Sequence, residues 1–273
     1  MNLLMNNFLR NRKSVRDFKD KKMKDEMLGE IKGYCNQLRG EIAKEGFEFL
    51  LFEDGERIYK SLEGIGGYAG VMIKSPHYIG LNIKDNRDES LIYGAYFMEN
   101  LITKLTDLNI GSCWISLKGV DEKTKKDLFQ TTDGNIDYLL AIGHPVPKNP
   151  FVGDSTSSRI GVEDIVFKDE IGKAMDLGEL ESRGLDDLFY YIRFAPSSHN
   201  KQPWRFILKD DRVVLLLAHS PEEKPNLADA GIIMYYFENL AQAIGIDNRW
   251  NLLDNEDYYD GKIKYKYIGE FGI

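Results

Sequence analysis

The chain has 273 residues, enough for one large domain or two small ones, and its content of 42% hydrophobic and 29% charged residues is ordinary for a globular protein. A net charge of −8 at pH 7 argues against a general binder of nucleic acid or of anionic membranes. The two cysteines, Cys35 and Cys113, lie far apart, which favours free thiols in a reducing compartment. The sequence shows no signal peptide and no apolar run of membrane-spanning length, so we expect a cytoplasmic protein.

The spacing of apolar residues predicts helices and strands along the whole chain. Helices are predicted over residues 2–11, 24–39, 91–108, 185–194 and 229–245. Strands are predicted over residues 47–52, 78–83, 138–145, 205–208, 212–217 and 264–269. We expect a turn at residues 53–55, a connector over residues 168–180, and a tight helix exit permitted by Gly111.

A basic run follows the first predicted helix, and it contains Arg12, Lys13, Ser14 and Arg16. In an extended segment alternate residues share a face, so Arg12, Ser14 and Arg16 would point the same way. Two guanidinium groups beside a hydroxyl match the oxygens of a phosphate. A solvated basic surface is the alternative interpretation, and it is the commoner fate of such residues.

Residues 196–203 form a polar loop that begins and ends with proline. Pro203 forbids helix and predicts an extended conformation for Gln202. The hydroxyl and amide groups of Ser197, Ser198, Asn200 and Gln202 suit a ligand rich in ring nitrogens and carbonyls. An ordinary helix-to-strand turn has the same composition, because proline, serine and asparagine dominate turns.

A degenerate internal repeat is suggested by the two long apolar helices. When Trp250 is aligned with Trp114, Ile246 falls on Ile110 and Gly245 on Asn109. Each half then contains a helix, a strand, a long apolar helix, a turn with tryptophan and a strand. The predicted halves are residues 1–167 and 168–273, combined in one globular unit. Chance similarity between two apolar helices is the alternative.

These motifs resemble the flavin-dependent nitroreductase family. The family's Arg-Arg-Ser-x-Arg-x-Phe block is similar to residues 12–18, and its Ala-Pro-Ser-x-x-Asn-x-Gln-Pro-Trp block to residues 195–204. Its Gly-Ser-Cys-Trp-Ile block is similar to residues 111–115, and its late arginine to Arg159. The resemblance implies an α+β fold with antiparallel or mixed sheets flanked by helices, and FMN as the cofactor.

The resemblance also implies a set of cofactor-binding residues. The phosphate and part of the ring would be held by Arg12, Lys13, Ser14, Arg16 and Arg159. The loop along the flavin would supply Pro196, Ser197, Ser198, Asn200 and Gln202. The backbone of Ile115 and Ser116 would approach the flavin N5. No catalytic side chain is named, because the flavin carries the chemistry.

Members of the family usually carry both blocks in one repeat, whereas here each half keeps one. This order resembles a fused, degenerate pseudo-dimer with one complete site between its halves. The chain would then be a monomer or would dimerise further. The implied function is an oxidoreductase that takes electrons from NAD(P)H and reduces nitroaromatics or quinones in a ping-pong cycle. The partner would be such a small-molecule acceptor, with no nucleic acid and no membrane.

Two other functions stay open. The chain could be a non-enzymatic flavin binder or ligand sensor, or a structural protein whose flavin site has decayed. A metal enzyme is not expected, because His77, His144, His199 and His219 are scattered without ligand spacing.

Overall fold

A computed structural model describes residues 5–41, 46–147 and 157–273 of the chain. It divides into two compact units, Lys13–Asp154 and the combination of Met1–Arg12 with Ser155–Ile273. Helix α1 (Met5–Asn11) groups with the second of these because it packs on helices near the C-terminus, with the Phe8 and Tyr236 rings 6.1 Å apart. The boundaries of these compact units differ from those of the predicted halves, 1–167 and 168–273. The halves describe the internal repeat, and they stay a prediction.

The unit Lys13–Asp154 is built around an antiparallel sheet. Its helices are α2 (Asp25–Glu41), α3 (Gly55–Leu62), α4 (Asp88–Asp107) and α5 (Glu122–Phe129). Its strands are β1 (Phe47–Phe52), β2 (His77–Ile83), β3 (Gly111–Ser116) and β4 (Asn135–Gly143). The strands lie in the order β1-β2-β4-β3, and every neighbouring pair is antiparallel.

Helices cover both faces of this sheet, since its side chains alternate between two apolar surfaces. α4 lies close against one face, where a Cβ added at Gly94 would stand 2.8 Å from a methyl carbon of Leu81. On the other face Ile58 of α3 and Leu128 of α5 join Leu139 of β4 in one buried cluster. Burial of each such aliphatic side chain stabilises the fold by about 1.5–3 kcal/mol.

The unit formed by Met1–Arg12 and Ser155–Ile273 holds a second sheet. Its further helices are α6 (Leu177–Ser182), α7 (Asp186–Ile192) and α8 (Leu227–Ala243), with short 3-10 turns at Val162–Asp164 and Ser198–Asn200. Its strands are β5 (Val166–Lys168), β6 (Trp204–Leu208), β7 (Arg212–His219), β8 (Asn251–Leu252), β9 (Tyr258–Tyr259) and β10 (Lys264–Gly272). The order is β5-β6-β7-β10-β8, with β9 also on β10. Only the β5–β6 pair in the described part of this sheet is parallel.

An aromatic core fixes α7 and α8 to this second sheet. The ring of Phe206 in β6 lies 5.5 Å from that of Phe189 in α7 and 5.5 Å from that of Phe237 in α8. All three side chains are fully buried, and Trp204 at the start of β6 is buried as well. Such packed aromatic pairs contribute about 0.5–1.5 kcal/mol beyond the burial of their area.

The two long helices end in the same way. Asn109 after α4 and Gly245 after α8 both have positive φ, at 57° and 90°. The amide of the following residue returns to the helix in each case, from Ile110 to the Leu105 carbonyl and from Ile246 to the Ala241 carbonyl. This is the left-handed helix end that glycine and asparagine favour.

The helices and strands predicted from periodicity are confirmed within a few residues at each end, apart from residues 1–4, which lie outside the described part. The turn at residues 53–55 is wrong in part, because α3 already begins at Gly55 and Asp54 caps it by accepting from the Arg57 amide at 3.2 Å. The prediction of a connector over residues 168–180 is also wrong in part, because β5 ends at Lys168 and α6 begins at Leu177. α5 and β3 were not predicted.

The helix exit assigned to Gly111 is wrong. Asn109 takes the left-handed conformation, whereas Gly111 is the first residue of β3. Glycine is required there by packing, because a Cβ would stand 2.8 Å from a methyl carbon of Val15. In the part of the chain that the structure describes, the helices are all too short or too polar to span a membrane.

Candidate functional site: a strained loop and an arginine cluster

The proline-bracketed loop (residues 196–203) joins α7 to β6 in an unusual backbone conformation. His199, Asn200 and Gln202 have φ values of 52°, 56° and 49°. The prediction of an extended Gln202 is therefore wrong. A left-handed residue other than glycine costs about 1–2 kcal/mol, and asparagine tolerates it best. The loop therefore keeps this shape only because other contacts hold it.

The side chain of Gln202 provides most of those contacts. It is only 4% exposed, and its Oε1 accepts from the Ile160 amide at 3.0 Å. Its Nε2 donates to the carbonyls of Ser158 and Asn200, at 3.2 and 3.3 Å. The backbone N–H of Gln202 donates to Ser197 Oγ at 2.9 Å. These predicted ligand-binding groups are used to close the loop onto residues 158–160.

Two residues that the sequence analysis did not select also hold the loop. Asp229, in the first turn of α8 and 2% exposed, accepts from the Ser198 amide at 2.9 Å. Arg205 donates from Nη1 to the carbonyls of Gln202 and Trp204, at 3.1 and 2.7 Å. Burial lowers the pKa of Arg205. Neither residue belongs to a motif. Arg205 is next to the loop in sequence, whereas only the folded chain brings Asp229 to it.

Arg159 crosses the inner side of the loop. Its Nη1 donates to the Ala195 carbonyl at 2.9 Å and to Asn200 Oδ1 at 3.2 Å, while Asn200 Nδ2 donates to the Ser158 carbonyl at 3.1 Å. Burial lowers the pKa of the half-buried Arg159 guanidinium, and the positive charges of Arg12 and Arg193 lower it further. Among the described residues no carboxylate lies within ion-pair distance of Arg159.

Arg12, Arg159 and Arg193 are called the arginine cluster below. Arg193 was not predicted as a site residue, although it stands immediately before the loop motif. Its Nη1 donates to the Ile160 carbonyl at 3.2 Å and its Nε to the Tyr190 carbonyl at 3.1 Å. Cations that repel one another in a half-buried place are stabilised by a bound anion, for which a phosphate monoester has matching geometry. The cluster therefore has the charge that a phosphate-binding place needs.

The remaining predicted residues belong to the unit Lys13–Asp154. The amide of Val15 donates to the Ser112 carbonyl at 2.9 Å, which places Ser14 and Arg16 beside the start of β3. Lys13 and Arg16 are exposed. Ser116 is exposed at the end of β3, and its carbonyl accepts from the Gly67 amide at 3.0 Å.

The side chain of Ile115 is 3% exposed and packs in the core, so only its backbone is available to a ligand. The structure thus brings Arg12, Arg159 and the loop residues Pro196, Ser197, Ser198, Asn200 and Gln202 into one compact unit. The roles of Lys13, Ser14, Arg16, Ile115 and Ser116 toward a cofactor stay predictions.

The chain thus combines an α+β fold of mainly antiparallel sheets and helices with a strained polar loop and an arginine cluster. The chain belongs to the family described as "Putative TM nitroreductase", whose model matches residues 5–241. None of the proteins of curated function matches this sequence.

Solved structures with a similar fold come from several bacteria. A "putative nitroreductase" from Thermotoga maritima is 18% identical with a TM-score of 0.58, and the match covers 98% of this chain and 94% of that chain. At that identity the likeness is one of fold. An FMN-dependent nitroreductase from Clostridium difficile is 19% identical with a TM-score of 0.41, over 64% of this chain and 94% of that one. A nitroreductase with bound FMN from Bacteroides fragilis is 16% identical with a TM-score of 0.44, and the match covers 57% of this chain and 98% of that chain.

Proposed function

We propose that the chain is an FMN-dependent oxidoreductase that uses NAD(P)H to reduce electron-poor acceptors such as nitroaromatics or quinones. Membership of the nitroreductase family supports the reaction class. The observation that carries the cofactor assignment is Arg159, a half-buried cation beside Arg12 and Arg193 with no ion-pair partner among the described residues. A phosphate placed there would offset the cost of burying Arg159.

The chain's own residues would bind and orient the cofactor. The arginine cluster would hold the phosphate through charge-assisted hydrogen bonds. The loop keeps a fixed shape through Gln202 and Asp229, so that its backbone would present donors and acceptors without further ordering on binding. The bound flavin would supply the electron-transfer chemistry.

We also infer that the chain is a fused tandem of two nitroreductase-like repeats. The order β1-β2-β4-β3 in one unit has the same pattern as β6-β7-β10-β8 in the other, with antiparallel pairing throughout. In each a long helix follows the second strand and ends in the same left-handed turn. Packing of the repeats as a pseudo-dimer with a single site stays a prediction.

A titration with FMN tests the assignment of Arg159. Replacing it by glutamine removes the charge and keeps a polar side chain with an amide donor. A hydrogen bond to a charged group contributes about 1.5–3 kcal/mol, so we expect FMN to bind the Arg159→Gln variant roughly 10- to 150-fold more weakly. Quenching of flavin fluorescence measures the affinity.

The matched control is Arg212→Gln, because Arg212 lies in the same unit and pairs only with Asp211 and Glu270 near the surface among the described residues. It should bind FMN as the unchanged protein does. Equal affinity for FMN in all three proteins would contradict the assignment. FMN binding without NAD(P)H-driven reduction of any nitroaromatic or quinone would favour a non-enzymatic flavin binder.

A further inference from the structure

A groove of about 580 Å³ lies on the surface of the unit that contains α6 and α7. It runs between these two helices and the 3-10 turn at Val162–Asp164. Its volume falls within the range of roughly 300–1,000 Å³ that is usual for sites of small organic ligands. None of the residues predicted from the sequence to bind cofactor lines it, and of the three residues of the arginine cluster only Arg193 does.

The walls of the groove are apolar and aromatic. Tyr190 and Leu177 are 45% and 54% exposed although they are large hydrophobic residues. Val162, Leu180 and Tyr191 complete the wall. Apolar side chains gathered in a concave place offer a ligand more surface to bury than the same residues scattered singly.

The rim of the groove is acidic. It carries Glu163, Glu181, Asp186 and Asp187. In the described part of the chain none of these four carboxylates is paired with a cation or hydrogen-bonded through its side chain. The described residues contain no group of three side chains able to hold one metal ion, so these carboxylates do not converge as metal ligands. Four carboxylates against one lining cation, Arg193, leave the groove with a net negative charge, which favours a cationic ligand.

One cation already occupies the aromatic wall. The guanidinium carbon of Arg193 lies 4.7 Å from the centre of the Tyr190 ring. Its Nη1 and Nε are bonded to the Ile160 and Tyr190 carbonyls, so Arg193 is turned toward the backbone rather than toward the rim carboxylates. The Tyr190 ring therefore already faces one positive charge, an arrangement that the ring quadrupole favours.

We propose that this groove binds an organic cation of the substituted-ammonium class. The apolar walls would contact the alkyl groups of the ligand, the tyrosine rings would stabilise its positive charge, and the rim carboxylates would attract it. A neutral molecule of the same shape would lose both electrostatic contributions. Arg193 lines the groove and also belongs to the arginine cluster, so the groove adjoins the proposed phosphate site, but its test needs no flavin.

Choline and its uncharged carbon analogue 3,3-dimethylbutan-1-ol test the proposal, because they share shape and differ in charge. Calorimetric titration of the full chain is expected to show choline binding that is at least about tenfold tighter than that of the neutral analogue. The double variant Glu181→Gln/Asp187→Asn should weaken choline binding by about tenfold, since it removes two charges from the rim while keeping shape.

The control is Glu222→Gln/Asp254→Asn, which removes two exposed carboxylates of the same unit that do not line the groove. It should leave choline binding unchanged. Equal weakening in both double variants would mean that only the overall negative charge matters, and it would overturn the proposal. Equal affinity for the two probes, or no choline binding up to about 20 mM, would overturn it as well.

Discussion

At the scale of single residues, Gln202 shows how a motif residue can hold the backbone of a loop in shape. The resemblance assigned it to cofactor binding, but its amide is bonded to the backbone of Ile160, Ser158 and Asn200. These bonds offset the cost of the left-handed φ at residues 199, 200 and 202. The residue therefore stabilises the loop, and its role toward a cofactor stays a prediction.

Replacing Gln202 by alanine should lower the free energy of unfolding by about 2 kcal/mol, because the Ile160 amide and the Ser158 carbonyl lose a buried partner. Chemical denaturation measures this change. Lys201→Ala is the matched control, since Lys201 pairs only with Glu223 across an exposed 3.2 Å contact among the described residues. It should cost at most about 1 kcal/mol. Equal and small effects of the two substitutions would show that Gln202 does not hold the loop.

At the scale of elements, periodicity predicted most helices and strands but not their ends or the short pieces. α6 has six residues and one buried position, Leu180, so its apolar pattern is too brief to separate it from a connector. The exit assigned to Gly111 failed because glycine satisfies two different needs. One is a left-handed φ, and the other is room for a neighbour, here Val15. Sequence alone does not distinguish them.

The left-handed ends of α4 and α8 give a prediction about an element. Gly245 has a φ of 90°, and an added Cβ would have no atom within 4 Å. The cost of a substitution there therefore comes from the left-handed backbone conformation and not from a steric clash. Gly245→Ala should lower the free energy of unfolding by about 1–2 kcal/mol. Gly119→Ala is the control, because Gly119 is equally open and lacks a positive φ. It should be neutral or stabilise by up to about 1 kcal/mol. Thermal unfolding of both variants measures the two changes. A similar loss of stability in Gly245→Ala and Gly119→Ala would contradict the role of the left-handed φ.

At the scale of the whole molecule, the resemblance carried by local motifs implied both the family and its α+β fold, and both are confirmed. The parts of the site that depend on tertiary contacts could not be predicted. Asp229 reaches Ser198 from a helix that begins 29 residues later, and Arg193 joins Arg159 only when α7 packs in place. Neither contact leaves a pattern in the sequence. The division into units likewise depends on where α1 packs.

We propose that one chain carries one FMN site, with the arginine cluster at the phosphate. The most direct test is the visible absorption spectrum of the purified protein after FMN is added and the excess removed. The account predicts flavin absorption equivalent to about one FMN per chain, held by a cluster that saturates with a single phosphate. Two FMN per chain would contradict the single site, and no retained flavin together with no change in melting temperature on adding FMN would contradict flavin binding itself.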